Sequence, residues 1–453
     1  MKNRKLMLFL IFLAVCLVVL IAGRLAWGAE GGKTLTLDNA IGIAREANPL
    51  ILASEARVNQ ARGKLVQARS EQLPQASATL GYQKLNERPE AYALAMDGLT
   101  PIGIVPLGYE ETWQAAVSLS QVIYSGGSLS ARTEAERLMV SARESERERT
   151  VQSVENGVRK AFYGLQRSLS KRDVAREALD LSKEHLRQAE AFYRAGVVAQ
   201  NEVLRVQVAV SSAKLNLIRA ESAVQVAWKQ LERVVGKTLE GEFVVPSGDS
   251  EAETFTVPGD PLSRALAQRP EIRGLEAARK AALMTVKAVR GQVLPQVGLA
   301  ARASVADEDF FPSERDEWSL SVFARFRLFD SGKVHGQTVE AQGAAEELLY
   351  RIEDLKRQVA LDVSTSGVGL DGAVQRVKVA SDGVIQAEED YRMALKRYQA
   401  QVGTNIDVLD ARLALTDARN AKADSVAEAR TAYGDLLFAM GEPAAGENKE
   451  ATR

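Results

Sequence analysis

The chain has 453 residues, with 58 Lys and Arg against 59 Asp and Glu, a formal charge of −1, two histidines and one cysteine. Charge so evenly balanced argues against a nucleic-acid partner, and a single cysteine excludes a disulfide framework. The length leaves room for several domains.

At the amino terminus, Lys2, Arg4 and Lys5 precede an apolar run over 6–22, and Ala26, Gly28 and Ala29 follow it. That order predicts a secretory signal peptide over 1–29. Its removal takes away Lys2, Arg4, Lys5 and Arg24, so the charge goes from −1 to about −5 and the mature surface is mildly acidic. Cys16 lies inside the run. It is either an inert part of the signal core or the end of a poor lipoprotein box, with Val15 standing where a small residue is wanted. The run is slightly short for a spanning helix, and an uncleaved anchor is the alternative fate of this segment. Without Cys16 the exported chain has no thiol for a metal site or a nucleophile.

Residues 37–72 are rich in Ala, Arg, Glu and Gln at helical spacing, and Pro74 ends the helix because it cannot donate the next backbone bond. The period then changes to two. Strands are predicted over 75–85 and 113–123, with Ala76, Ala78, Leu80 and Tyr82, and then Trp113, Ala115, Val117 and Leu119, on one face. After the turn YSGGS at Tyr124 comes a long helix over 128–195, about 100 Å at 1.5 Å per residue. A tip at Gly196 leads to a helix over 200–235, which completes a first structural repeat, 30–240. A linker over 241–260, marked by Pro246, Gly248, Pro258 and Gly259, precedes a second repeat, 261–441. Its expected elements are a helix over 261–293, strands over 296–305 and 318–329, a long helix over 333–400 and a helix over 405–440. A tail, 442–453, follows.

The second repeat copies the first. RYQAQVGTNIDVLDARLAL from Arg397 echoes AFYRAGVVAQNEVLRVQVAV from Ala191, at an offset of 398 − 193 = 205. The same offset pairs Trp113 with Trp318, Tyr124 with Phe329, Gly127 with Gly332, Leu204 with Leu409 and Gly236 with Gly441. Upstream, Pro74 pairs with Pro295 at 295 − 74 = 221, so the first repeat carries 221 − 205 = 16 extra residues between Pro74 and Trp113. One architecture is therefore written twice.

Each strand has one apolar and one polar face. Two soluble hairpins laid on a core would show this alternation, and so would a membrane barrel with lipid outside and water inside, in which Tyr82, Trp113 and Trp318 sit near the interfaces. What separates them is the scarcity of strands. Four cannot close a barrel, whose minimum is about eight, and lipid forbids open edges. Several chains must then pool their strands. The 16-residue surplus falls in 86–112, whose text AYALAMDGLTPIGIVPLG is unusually apolar for a surface loop; it plugs or lines a mouth, or contacts lipid.

The long helices carry a seven-residue series: Val151, Val158, Leu165, Arg172, Leu179, Leu186 and Tyr193, and 205 later Lys356, Val363, Leu370, Val377, Val384, Tyr391 and Tyr398. A small-residue series runs three places on. Large beside small at a spacing of seven predicts supercoiled helices in close approach. Arg172 and Lys356 interrupt the seam, to snorkel or to face a channel. The two shorter helices of each repeat together match the long one in length, which predicts a rod with strands at one end and tips at the other. The run ARESERERT at Ala142 reads as a solvated helical face. His185 and His335 show no metal or catalytic pattern, and no nucleophile elbow or phosphate loop occurs.

These features together resemble the TolC-like outer membrane efflux protein family over nearly all of the mature chain. The resemblance rests on the paired starts Asn48-Pro49-Leu50 and Arg269 to Ile272, the Leu-Pro-Gln before each first strand, the turns after each second strand and the two tip motifs. It implies a mainly α fold with membrane β: a homotrimer whose twelve-stranded outer membrane β-barrel, four strands from each chain, continues into a long periplasmic α-helical barrel. It implies a passive exit duct, not an enzyme, without cofactor or metal, joined through a periplasmic adaptor protein to an inner membrane pump of RND or ABC type. Outer membrane lipid surrounds it, and no nucleic acid is involved. The echoed stretch resembles the periplasmic tip. Phe192-Tyr193-Arg194-Ala195-Gly196 with Glu202 follows the family's form in the first repeat. In the second, Tyr398 and Asp407 fit, Gln401 takes the glycine position and Gly403 comes two residues later. The family pattern makes Asp407 and Asp410 an acidic ring at a closed aperture and Tyr398 with Glu202 a tie that holds it closed. Gly196, Val197, Val402 and Gly403 become tip turns where the adaptor docks. The family's assisting basic residue falls at Gly403. On the residues alone, Asp407 and Asp410 also suit the first turn of a helix, where carboxylates complement the dipole. A trimeric coiled-coil surface protein with a small barrel anchor is the alternative; the internal, duplicated hairpins oppose it.

Overall fold

The computed structural model describes residues 33–94, 101–239, 243–246, 255, 257, 259–310 and 316–442. The expected signal with Cys16, most of the linker 241–260, residues 95–100 of the apolar loop and the tail from 443 lie outside them.

Strand β1 (Lys33–Thr34) precedes α1 (Leu37–Ala47) and α2 (Pro49–Ser70). The single helix expected over 37–72 is thus broken at Asn48, because a residue before proline is pushed out of the α region; Asn48 stands at φ −70°, ψ 123°. Its side chain repairs the break, with Nδ2 donating to the Val234 carbonyl at 2.5 Å and Oδ1 accepting from the Leu50 N–H at 2.8 Å. The second repeat breaks at the matching place. Arg269, at φ −61°, ψ 122°, precedes Pro270 and separates α5 (Pro261–Gln268) from α6 (Pro270–Gly291).

Strands β2 (Gln75–Lys84), β3 (Glu90–Leu94), β4 (Pro101–Pro106) and β5 (Glu111–Tyr124) follow α2. The apolar surplus of the first repeat is therefore not a plain loop: β3 and β4 pair as an antiparallel hairpin. The long helix α3 (Ser128–Arg194), α4 (Gln200–Val235) and β6 (Phe243–Val244), parallel to β1, end the first half. Strands β7 (Gln296–Asp307) and β8 (Asp316–Arg325), the long helix α7 (Lys333–Gln399) and α8 (Asn405–Met440) complete the second.

The four longest strands form one antiparallel sheet in the order β2-β5-β7-β8, with β2 and β8 as its margins. Its register gathers the apolar positions on one face. Ala78, Val117, Ala303 and Trp318 lie in one row, and Ala76, Leu119, Ala301 and Leu320 in the next. Ser77, Ser118, Arg302 and Ser319 share the other face. Among the described residues no core covers the apolar face: every residue of β2 and β8 is exposed, with Trp318 at 77% and Val322 at 71%. Hairpins packed on a soluble core would have buried these side chains, and that reading is set aside.

Compact units do not coincide with the repeats. Of the described residues, one gathers those up to Ile51, those within Val151–Pro261 and those from Asp362, the other those within Leu52–Thr150 and Leu262–Leu361, so each draws on both copies. Neither copy is self-contained, because each long helix contributes to both units. In the first unit, α1, α3 and α4 bury Ile41, Val158, Leu165, Leu231 and Val235 together with Leu35 and Leu239. Seam positions Val154, Leu179, Ser182 and Ala189 are buried as well. Of the two seam interruptions, Arg172 turns to Asp173 at 2.6 Å and Lys356 is exposed.

Helix ends show how literally the copy was kept. After α3, the N–H of Gly196 donates to the Tyr193 carbonyl and that of Val197 to Phe192, both at 2.9 Å. After α7, the Gln401 N–H donates to Tyr398 and the Val402 N–H to Arg397, both at 3.0 Å. This is the Schellman closure, written twice 205 residues apart. It needs a left-handed residue: Gly196 has φ +74° and Gln401 has φ +60°. Gly236 closes α4 at φ +84°, where an added Cβ would come within 2.8 Å of the Ala47 carbonyl oxygen.

Two consequences are measurable as shifts in the denaturation midpoint of the purified protein. Gly236→Ala combines a left-handed alanine with a backbone clash and is expected to cost about 2–4 kcal/mol. Gln401→Gly removes a left-handed strain of about 1–2 kcal/mol against an unfolded-state entropy of about 0.4–1 kcal/mol, so it raises the midpoint slightly.

Candidate functional site

The two tip turns meet in the first compact unit. Thr404 caps α8: its hydroxyl accepts from the Asp407 N–H at 3.2 Å, and its own N–H donates to Asp407 Oδ2 at 3.0 Å, a reciprocal capping box. These bonds to Thr404 hold the Asp407 carboxyl below its ordinary range. Asp407 and Asp410 are both exposed in the single chain, one turn apart. The helix-start role of Asp407 is therefore present, and its carboxylate still faces solvent. Val197 and Val402 are exposed beside their turns, at 46% and 69%. Gly403 does not take the left-handed position; it permits close approach, since a Cβ there would lie 2.9 Å from that of Arg397.

The expected tie between Tyr398 and Glu202 is not made within the chain. Tyr398 is buried and its Oη has no hydrogen-bond partner, while Glu202 is half-buried. Burial first, and then the nearby charge of Glu202, push the Tyr398 phenol up. What joins the two tips instead is a pair that sequence reasoning missed. His185 Nε2 lies 2.6 Å from Asn405 Oδ1, with the two residues 1% and 3% exposed. Asn405 Nδ2 in turn reaches the Glu202 backbone carbonyl at 3.4 Å. The Tyr398 ring packs against His185 at 5.0 Å between centroids and against Phe192 at 5.5 Å. Arg412 donates to Ser182 Oγ at 2.6 Å. Repeat logic hid this pair, because 185 + 205 is Asp390 and 405 − 205 is Gln200.

In the second compact unit the aromatic positions fall on the sheet. Tyr82 and Trp113 are directly opposed, with rings 4.7 Å apart, and Phe310 meets Trp113 edge-on at 4.7 Å. Trp318 stands exposed on the same face. Among the described residues no helix is long and apolar enough to cross a membrane, and no group of His, Cys, Asp or Glu could hold a metal ion.

Comparison with known proteins agrees with this architecture. The family model described as outer membrane efflux protein matches residues 40–237 and 262–442, one segment in each copy. The pyoverdine export outer membrane protein OpmQ of Pseudomonas aeruginosa is 25% identical over 399 residues, 87% of this chain and 82% of that protein. The outer membrane efflux protein BepC of Brucella suis is 23% identical over 440 residues, 96% of this chain and 91% of its own. Among solved structures, VceC of Vibrio cholerae superposes with a TM-score of 0.72 at 19% identity, covering 90% of this chain and 96% of that one. The open state of MtrE from Neisseria gonorrhoeae gives 0.76 at 18%, covering 90% and 89%. With a matching family model over both copies, a shared fold and an uncovered apolar sheet face, the chain belongs to the outer membrane efflux protein family and is an exit channel of the outer membrane that reaches into the periplasm.

Proposed function

We propose that three copies of this chain form a passive duct, with Asp407 and Asp410 ringing its periplasmic aperture and the tip turns at Gly196, Val197, Val402 and Gly403 receiving an adaptor that links it to an inner membrane pump. The observation that carries the trimer is the sheet: one apolar face without a core and two margins, β2 and β8, without partners among the described strands. Three sheets of four strands supply twelve, enough to close a membrane barrel where one sheet is not. Tyr82, Trp113 and Trp318 then sit on the lipid face near the interface, where amphipathic rings are favoured. Ser77, Ser118, Arg302 and Ser319 line the water-filled side.

Aperture chemistry follows from exposed carboxylates. Two from each of three chains, brought close to one axis, attract cations and repel small anions. The capping bonds that hold the Asp407 carboxyl below its ordinary range favour its charged form. The duct needs no catalytic group, since the pump supplies the work. Cargo is set upstream of the aperture, in keeping with one relative named for pyoverdine export and another, AprF, for alkaline protease secretion.

Reversal potentials of the purified trimer in planar bilayers test the ring. Asp407→Asn leaves an oxygen for the Thr404 N–H, and combined with Asp410→Asn it is expected to lower the cation-to-anion permeability ratio several-fold. Unchanged potentials in the double variant remove the aspartates from the aperture.

A further inference from the structure

We propose that the buried His185–Asn405 pair is the latch that keeps the two tip turns of each chain together, and that uptake of a proton by His185 releases it. This rests on the aperture reading above and names how that aperture is held and let go.

The geometry is that of a junction. Asn405 is the first residue of α8, and through one amide it reaches α3 at His185 and the first turn of α4 at Glu202. No other side-chain hydrogen bond described at the tips spans both copies so close to the turns; the Arg412 to Ser182 bond lies two turns further from the α8 start. Tyr398, placed by the family pattern as half of a tie, instead uses its ring as a lid over His185 and Phe192. The pair therefore stands in the place of the tie that the chain does not make.

The imidazole is a latch that acid can open because of what surrounds it. It is 1% exposed, and Nε2 donates to the Asn405 carbonyl oxygen, so the neutral ring turns its Nδ1 lone pair into the interior, where Nδ1 has no partner. Titratable and charged groups face this cluster from each packed element. From α7 come Tyr398 and Tyr391, from α8 the guanidinium of Arg412, from α4 Glu202, and from α3 itself Glu184. The charge among them that acts on His185 is Arg412, of like sign to an imidazolium, while Glu202 acts on Tyr398 and Glu184 on Tyr391. Burial and Arg412 thus favour the neutral ring, against the opposing effect of the Asn405 bond. A proton added to Nδ1 would create a buried cation beside another, relieved only when the ring leaves its pocket for water. Asn405 then loses its partner, and α8 is freed from α3.

The sign is fixed by linkage. A histidine held neutral in the closed state binds more protons in the released state, so closure is fully stabilised above the ordinary histidine value of about 6.5 and weakens as pH falls below it. With one proton per chain, the released-to-closed ratio rises by up to about tenfold per pH unit in that window.

Two readouts on the full-length trimer test this. In planar bilayers, conductance at about pH 5 should exceed that at about pH 7.5. His185→Gln, which keeps an N–H for Asn405 and cannot take a proton, should stay at the low level at both. Asn405→Ala should conduct at the higher level already at neutral pH. In solution, spin labels on Val197→Cys and Val402→Cys should move apart on acidification in the wild-type background and not with His185→Gln. This readout reports the latch without requiring an aperture. A pH step that survives unchanged in His185→Gln, or an Asn405→Ala channel as closed as the parent at neutral pH, overturns the proposal. A channel whose selectivity responds to Asp407 and Asp410 while its conductance and label distance ignore pH keeps the aperture and overturns the latch.

Discussion

A β-strand edge in hydrocarbon has nowhere to place its N–H and C=O groups, and that constraint organises the rest of the molecule. The chain offers one apolar face across four strands and leaves β2 and β8 as margins. Neither feature is tolerable in water or in lipid for a chain alone: water penalises the face, lipid the edges. The trimer proposed above would answer both at once. The sheet is also thin in side chains that could have buried themselves otherwise, with Ala76, Ala78, Ala301 and Ala303 on the apolar face, so little is lost by presenting them to lipid.

Packing in the helical part follows a different rule. Small residues on one seam of α3 allow close approach, and large ones on the other fill the gaps, which is why Ala189 and Ser182 are as buried as Leu165 and Val158. Polar groups inside this packing are paired rather than avoided. Glu155, 1% exposed, is met by Arg45 at 2.6 Å, and Asn156 donates to Asp435 at 2.8 Å. Such pairs add less to stability than to register, since a slipped seam would strand a buried charge.

Much of this was legible in the sequence, for reasons that can be named. The period change at Gln75, the turns before α3 and α7 and the 205-residue offset are local or self-similar signals; the last strand, expected over 318–329, instead runs Asp316–Arg325 and leaves 326–329 outside the sheet. The break at Asn48 was legible too, in the proline that follows it, but helical composition on both sides outweighed it. The hairpin of β3 and β4 was not, because its alanine, glycine and proline text carries no clean alternation. Nor was the His185–Asn405 contact, which joins positions 220 residues apart and has no counterpart in the other copy. The compact units were hidden for the same reason: they are assembled from both copies, and a reading that moves along the chain sees the copies first.

Duplication has a consequence for symmetry. A polypeptide holding one copy would contribute two strands, and six subunits would be needed to supply the same wall; it could present six identical contacts to anything below it. Joining the copies in one chain relaxed that equality. The left-handed turn residue is Gly196 in one copy and Gln401 in the other, and the β3–β4 hairpin belongs to one copy alone. In the trimer proposed above, a docking protein would meet three pairs of unlike surfaces in place of six equal ones.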